Sequence, residues 1–304
     1  MLNICVISDT HFKNTSNVRT GSLLEDQAAK LKFVVDYCKK HNAYLVHTGD
    51  VFDKPSVPDI VKNVLAPILQ ELPHKMLTIP GNHSILYNST ESKLMVKTSY
   101  QLWCSHGIIE DITDRELDLG ECYLSSKKPV QSKDKPQVVI YHGFLNQDDG
   151  NNSFYFQDIE PGIKNKTYII LGHDHAVYDP LEVSDNVKIF RIGSFTRLSR
   201  DEESYRTPQF LHILVKDGTL KFKNVPVTVA RPADEIFKAK LTNVTKAQQR
   251  ETYESIISQI REASTTKLTF EQAITQVASE EVSAYIVKRF HETKSNSQFD
   301  KQNL

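Results

Sequence analysis

Apolar residues along this chain come in short runs separated by polar, glycine-marked breaks, and the runs carry two different periods. Residues 3–8 (NICVIS) form a continuous apolar stretch of the kind a fully buried strand needs. Leu23, Leu24, Ala28, Leu31, Val34, Val35 and Cys38 then recur at three- and four-residue steps, which puts them on one face of a helix. Residues 44–48 predict the next strand. Pro58 stands where a first helical turn begins, and Ile60, Val61, Val64, Leu65, Ile68 and Leu72 follow at helical spacing. Pro67 inside that run predicts a kink or an interruption. Further strands are predicted at 76–79, 107–112, 122–125, 138–141, 168–171, 187–192, 210–215 and 221–225, with polar loops at 126–136 and 146–153.

So many strands beside so few long helices exceed what one parallel sheet can use. The expected fold class is α/β, a four-layer α/β/β/α sandwich of two mixed sheets with a helical C-terminal extension. From about Pro232 the pattern turns helical, with apolar residues at helical intervals over 247–263 and 270–290 (Ile256, Ile257, Ile260, then Ala273, Ile274, Val277, Val282, Ile286). The last dozen residues are polar. The expected organisation is a catalytic domain over 1–230 and a helical region over 231–304 that caps the sheet or docks a partner.

Composition bounds this picture without directing it. The chain has 304 residues, 39% hydrophobic and 25% charged, enough for a substantial core. Its 37 Lys and Arg nearly cancel its 38 Asp and Glu, so net charge neither favours nor excludes a nucleic-acid partner, because a basic groove can hide in a balanced total. No apolar run approaches the roughly 18 residues of a membrane span, and residues 2–8 lack a basic leader. The expectation is a cytoplasmic protein with no membrane association. Four scattered cysteines (Cys5, Cys38, Cys104, Cys122) fit buried apolar positions in a reducing compartment.

Histidine changes the picture. Of 11 histidines, five stand in short motifs beside Asp, Asn and Gly. In order these motifs are Asp9-Thr-His11, Gly49-Asp50-Val-Phe-Asp53, Gly81-Asn82-His83, Tyr141-His142-Gly143 and Gly172-His173-Asp-His175. Each follows a strand-like run, where a rigid element can hold a reactive group. In extended chain, residues two apart point the same way, so the Asp-x-His and His-x-His spacings bring both members to one small site. Carboxylates, imidazoles and one amide, without thiolate, suit Mn²⁺, Fe²⁺ or Zn²⁺ better than Ca²⁺ or Mg²⁺. His41, His47, His74, His106, His212 and His291 lack such context and read as surface or packing residues.

As an ordered set, the five motifs resemble the calcineurin-like metallophosphoesterase superfamily, whose pattern is D-x-H, G-D-x-x-D, G-N-H-[DE], H and G-H-x-H. The resemblance covers about residues 3–193. It implies two divalent ions, Mn²⁺ first among the candidates and Fe²⁺ or Zn²⁺ next. One would be held by Asp9, His11, Asp50 and His175, and the other by Asp50, Asn82, His142 and His173, with Asp50 bridging. It also implies that a water between the ions attacks phosphorus in line, and that His83 contacts the phosphoryl group and protonates the leaving group. Ser84 stands where many members carry an acid that orients this histidine, so Asp53 or another group is expected to serve His83.

Within the superfamily three features resemble the SbcD-type DNA-repair nucleases. These are Gly49 to Asp53 followed by Lys-Pro-Ser, the segment 191–203 with its Gly-Ser-Phe and acidic end, and the helical C-terminal third. The implied function is a two-metal phosphodiester hydrolase acting as a DNA exo- or endonuclease subunit. Arg197 and Arg200, with Lys13 and Arg19, would contact substrate phosphates, and an SbcC-like ATPase with a coiled coil, or a second copy, would be a partner. A small-molecule phosphodiesterase or phosphatase for cyclic or mononucleotides is the first alternative, and a non-catalytic scaffold of the same fold the second.

Overall fold

Strand β1 (Leu2–Ile7) is buried along its whole length. Its side chains alternate between two apolar layers, as the two-residue period of a strand requires. Ile4 and Val6 enter one cluster, together with Val46, Leu77, Val138, Ile140, Ile170 and Phe190. Cys5 and Ile7 enter a second, with Leu31, Val34, Val35, Val61 and Leu65. This is why the run 3–8 is continuously apolar. Removing each such large side chain from water contributes on the order of 2 kcal/mol.

The computed structural model describes residues 1–84, 98–127, 134–149, 152–159, 161–200 and 205–237. The chain divides into two units, Met1–Lys238 and Ala239–Leu304. The helices predicted at 247–263 and 270–290 fall in the second unit, outside the described residues.

In the first unit two six-stranded mixed sheets face each other. β2 (Tyr44–His47), β3 (Met76–Thr78) and β4 (Ile109–Asp111) extend β1 in parallel. β13 (Gln209–Lys216) lies antiparallel on the other side of β1, with β14 (Thr219–Pro226) at the edge. The second sheet runs β11 (Leu181–Glu182), β12 (Val187–Arg191), β10 (Thr167–Gly172), β7 (Gln137–His142), β6 (Tyr123–Ser125), β5 (Glu116–Asp118). Its four inner strands are parallel and both edges antiparallel. This is the two-sheet α/β arrangement the pattern predicts, and long helices are few among the described residues.

Helix α1 (Leu23–His41) and helix α2 (Asp59–Gln70) cover the outer face of the first sheet. α1 begins where Ser22 accepts from the Glu25 amide and stops at Asn42, which takes a left-handed conformation. Pro67 does not interrupt α2, contrary to the expectation from its sequence. It lies one turn from the C-terminal end, so its missing N–H costs the helix a single bond near that end. On the outer face of the second sheet Val139, Ile169, Leu171 and Ile189 pack against Phe154, Ile159 and Ile163. There the small parallel pair β8 (Phe144–Leu145) and β9 (Ser153–Phe154) supplies cover. Strands β5, β8, β9 and β11 are two or three residues long and give no legible alternation.

Candidate metal centre

The five motifs stand just beyond, or at, the carboxyl ends of β1, β2, β3, β7 and β10, all parallel strands at the centres of the two sheets. Packing the sheets face to face gathers these ends at one rim. Asp9, His11 and His175 offer donor atoms within 4.8 Å of one another, and so do Asp50, His142 and His173. Asn82 joins the second group, with Oδ1 at 3.0 Å from His142 Nε2. His11 Nε2 stands 3.9 Å from Asp50 Oδ2 and His142 Nε2 stands 3.3 Å from the same oxygen, so Asp50 lies between the two groups.

The loops that carry these residues are laced together by backbone. His11 N–H donates to the Asp50 carbonyl at 3.0 Å and Phe12 N–H to the Val51 carbonyl at 2.8 Å, joining the first two motifs. From the other side Phe195 N–H donates to the Ser8 carbonyl at 2.8 Å. The tight fit needs left-handed backbone at Asp9 (φ 50°), His11 (42°), Asp50 (56°) and His173 (86°). Such conformations cost non-glycine residues on the order of 1 kcal/mol each and cluster at functional sites. Two glycines make the close approaches possible. A Cβ on Gly81 would fall 2.1 Å from Asp50 Oδ1, and one on Gly49, at φ +110°, 2.3 Å from His142 Nδ1.

The donor set fits cations. His142 gives its Nδ1–H to the Thr48 carbonyl at 2.9 Å, which leaves Nε2 as the free donor facing Asp50 and Asn82. His11 Nε2 and His175 Nε2 approach to 3.0 Å, each 3.8 Å from Asp9 Oδ1. Nitrogen and oxygen donor atoms thus converge on one small volume, and a cation at its centre would satisfy them together. The electrostatics of the group is consistent with this. Burial raises the Asp50 carboxyl, but the imidazoles of His142, His11 and His83 outweigh it and hold the group well below its usual range. Burial lowers His142, yet Asp50 and Asp9 outweigh it and raise its affinity for a proton. At Asp9 burial prevails and the carboxyl is raised.

His83 sits in a 3-10 turn, Asn82–Ser84. Its amide donates to Asp50 Oδ1 at 2.9 Å. Its Nδ1 lies 2.5 Å from the main-chain carbonyl of Asp53, an acceptor only, so Nδ1 carries the hydrogen and Nε2 is left to exchange a proton. The Asp53 carboxylate accepts from Lys13 Nζ at 2.9 Å and stands 3.9 Å from His11 Nδ1, and it shares with His11 and His83 a group of donor atoms within 4.8 Å of one another. Ser84 is buried and, among the described residues, its hydroxyl has no hydrogen-bond partner, so it does not replace the missing acid. Among the described residues, the Asp53 carbonyl is what holds the His83 ring.

Three supporting residues escape a reading of the sequence by motif. Gln27 of α1 is fully buried and donates to the carbonyls of Thr10 and His11, while its Oε1 accepts from Lys13 N–H. Its one advance signal is an amide set on a largely apolar helix face. Lys30 is buried on the same helix and donates to the Phe195 carbonyl at 2.8 Å, its ammonium pushed well below the usual range by burial and then by Arg197 and Arg19. His47, read from sequence as packing or surface, is buried with Nδ1 accepting from Gly49 N–H at 3.1 Å. Its Nε2–H therefore donates to Thr10 Oγ1, at 2.9 Å, between the two residues of the first motif.

The arginines lie apart from this group. Arg197 is 4% exposed and donates to the Arg231 carbonyl, and burial brings its guanidinium down to about 10. Arg19, also 4% exposed, is held by Asp26 and by the Arg197 carbonyl. Both guanidiniums therefore tie segments of the fold together and do not line the rim as the sequence reading expected. Arg200 is half-buried, its Nε without a partner among the described residues.

The sequence profile described as "Calcineurin-like phosphoesterase" matches residues 2–177, which span all five motifs, and the chain belongs to that family. No curated protein matches it significantly. Among solved structures it is similar to the NAD nucleotidase of Haemophilus influenzae, at 11% identity and a TM-score of 0.40, over 84% of this chain and 56% of that one. It is similar also to a 5'-nucleotidase precursor from Thermus thermophilus, at 10% identity and a TM-score of 0.43, over 86% of this chain and 60% of that one. A purple acid phosphatase from yellow lupin seeds matches at 10% identity and a TM-score of 0.42, over 76% of this chain and 52% of that one. The chain is a metal-dependent phosphoester hydrolase of the metallophosphoesterase type. Among the described residues no helix is long and apolar enough to cross a membrane.

Proposed function

We propose that this hydrolase cleaves phosphodiester bonds in DNA, as a nuclease subunit of the SbcD type, with two Mn²⁺ as its working ions. Asp9, His11, Asp50 and His175 would hold one ion, and Asp50, Asn82, His142 and His173 the other. When bound, such ions neutralise charge on the attacking and leaving oxygens of an in-line displacement. The chain's own contribution is to place His83 Nε2 beside that centre as the proton donor to the leaving oxygen, with Nδ1 held by the Asp53 carbonyl.

The observation that carries the choice of a polymeric substrate is a polar cavity of about 460 Å³ beside Asp53, lined among others by Lys13, Asn14, Ser16, Asn17, Lys54 and Ser56. A single nucleotide has no use for hydroxyls, amides and ammonium groups extending away from the reacting phosphate, whereas a strand has neighbouring phosphates to place there. With Arg19 and Arg197 turned inward, Lys13 and Lys54 become the cations for those phosphates. A docking role for 231–304 toward an SbcC-like ATPase, and a homodimer, remain part of this proposal.

The test is a Mn²⁺ panel of bis-p-nitrophenyl phosphate, p-nitrophenyl phosphate, cyclic nucleotides, and single- and double-stranded DNA. DNA cleavage is expected. Lys54→Glu should weaken DNA binding and flatten its log–log salt dependence by about 0.7–0.9 per lost contact, while hydrolysis of the aryl diester persists. Efficient turnover of cyclic or mononucleotides with no DNA cleavage, with or without an ATPase partner, would replace this reading with the small-molecule one. Full metal binding with no turnover of any substrate would favour a scaffold.

A further inference from the structure

Asp149 belongs to none of the five motifs, yet its Oδ2 lies 2.9 Å from Nε2 of His173. A carboxylate at that distance only accepts, so Nε2 carries the hydrogen and the lone pair of His173 resides on Nδ1. His142 is arranged in the opposite sense, with Nδ1 anchored on the Thr48 carbonyl and Nε2 free. The two imidazoles of one donor group thus present different nitrogens, and each has its other nitrogen tied down.

The rest of the His173 ring is also constrained. Its backbone is left-handed, and its amide donates to both oxygens of Asp9 at 3.2 and 3.1 Å. The ring meets Phe144 edge-on at 4.3 Å and His142 at 4.9 Å. Those contacts restrict tilt but leave the ring free to flip about its own axis. Among the described residues, the hydrogen bond to Asp149 is what distinguishes one nitrogen from the other.

Asp149 is itself held in place. Its amide donates to Ser153 Oγ at 2.7 Å, its carbonyl accepts from Asn152 N–H at 3.1 Å, and Asn146 N–H donates to the Phe154 carbonyl at 2.8 Å. A Cβ on Gly143 would fall 2.5 Å from the Asn152 carbonyl oxygen, so the start of this loop packs directly on its return. The Asp149 side chain is 44% exposed. A pair this open to water adds little to folding stability, so its effect should be read on the ligand and not on the fold.

We infer that Asp149 is a positioning residue for the second metal: its carboxylate fixes the tautomer and rotation of His173 and raises the basicity of the nitrogen offered to the ion. The assignment rests on the two-metal reading above and goes beyond it by naming the residue on which the weaker-anchored ligand depends.

The experiment is a calorimetric Mn²⁺ titration of metal-stripped wild type, Asp149→Asn and Asp149→Ala, with melting temperatures of the metal-free proteins. Wild type should take up two ions. Asp149→Ala should melt as wild type does when metal-free, keep one site, and bind the other ion tenfold or more weakly, the usual range for loss of such a partner. Asp149→Asn, whose amide oxygen still accepts, should fall between the two. Excess Mn²⁺ should restore the kcat of Asp149→Ala with KM for the aryl diester unchanged. Wild-type affinity at both sites in Asp149→Ala would overturn the assignment, and so would equal loss at both sites. A wild-type protein that takes up fewer than two ions would remove the two-metal reading itself, and this assignment with it.

Discussion

Gly49 and His142 touch across the two sheets so closely that a methyl group on Gly49 would fall 2.3 Å from His142 Nδ1 and 2.9 Å from its Cβ. The same glycine has φ +110°, a conformation L side chains rarely adopt. Gly49→Ala therefore carries backbone strain and a clash against an imidazole pinned on the Thr48 carbonyl. We expect it to destabilise the protein by about 2 kcal/mol or more and to lose the ion facing His142. Urea unfolding and metal analysis read both effects; a stable Gly49→Ala protein with both ions would contradict the contact.

Asp50 stands between the two donor groups, with one oxygen toward His11 and His142 and the other accepting the His83 amide. Asp50→Asn is expected to abolish phosphoester hydrolysis and to lower metal content at both positions. Because ions bound only by the folded state stabilise it by mass action, wild type should gain melting temperature with added Mn²⁺ and the variant should not. Two tightly held ions in a fully active variant would end this expectation.

In the proposed function His83 acts on the substrate and not on the metal, although His11, Asp53 and His83 also bring donor atoms within 4.8 Å of one another. His83→Gln is expected to keep both ions while slowing turnover by roughly a hundredfold or more. The loss should shrink for p-nitrophenyl leaving groups, which need little protonation. An equal loss for good and poor leaving groups would assign His83 to phosphate positioning alone. Since the support of His83 is the main-chain carbonyl of Asp53, Asp53→Asn should leave this leaving-group dependence intact and act instead through Lys13 and His11.

Burial pushes His47 down to about 3 from an ordinary value of 6.5. Between those values the unfolded chain holds a proton that the folded chain does not. The neutral ring's contribution is therefore complete above about pH 6.5 and lost as pH falls toward 3, by up to about 1.4 kcal/mol per pH unit. In metal-free protein, unfolding free energies at pH 6.5 and 4.5 should differ less for His47→Gln than for wild type. The same pH dependence in both proteins would show that His47 charges without unfolding the loop it supports.

Much of this molecule is local information and could be read residue by residue. A strand buried on both faces must be apolar throughout, so β1, β2, β7 and β10 announce themselves. The ligand residues sit within a few positions of those strand ends, so their type and spacing are visible as motifs. Edge strands such as β5 and β11 pair on one side only and carry no alternation, and Pro67 costs too little near a helix end to break α2.

What the chain cannot announce is any relation set by residues far apart along it. Which nitrogen of His142 is free depends on Thr48, 94 positions away, and the same choice at His173 depends on Asp149, 24 positions away. Gln27 becomes a brace for His11 only once α1 packs on β1, and Arg197 turns inward only because Arg231, 34 positions on, offers a carbonyl there. The sequence alone determined the buried central strands, the metal-binding residue types and the family they belong to. The tertiary structure decided which atoms face the ions and which charges stay buried, because hydrogen bonding and desolvation depend on neighbours in space.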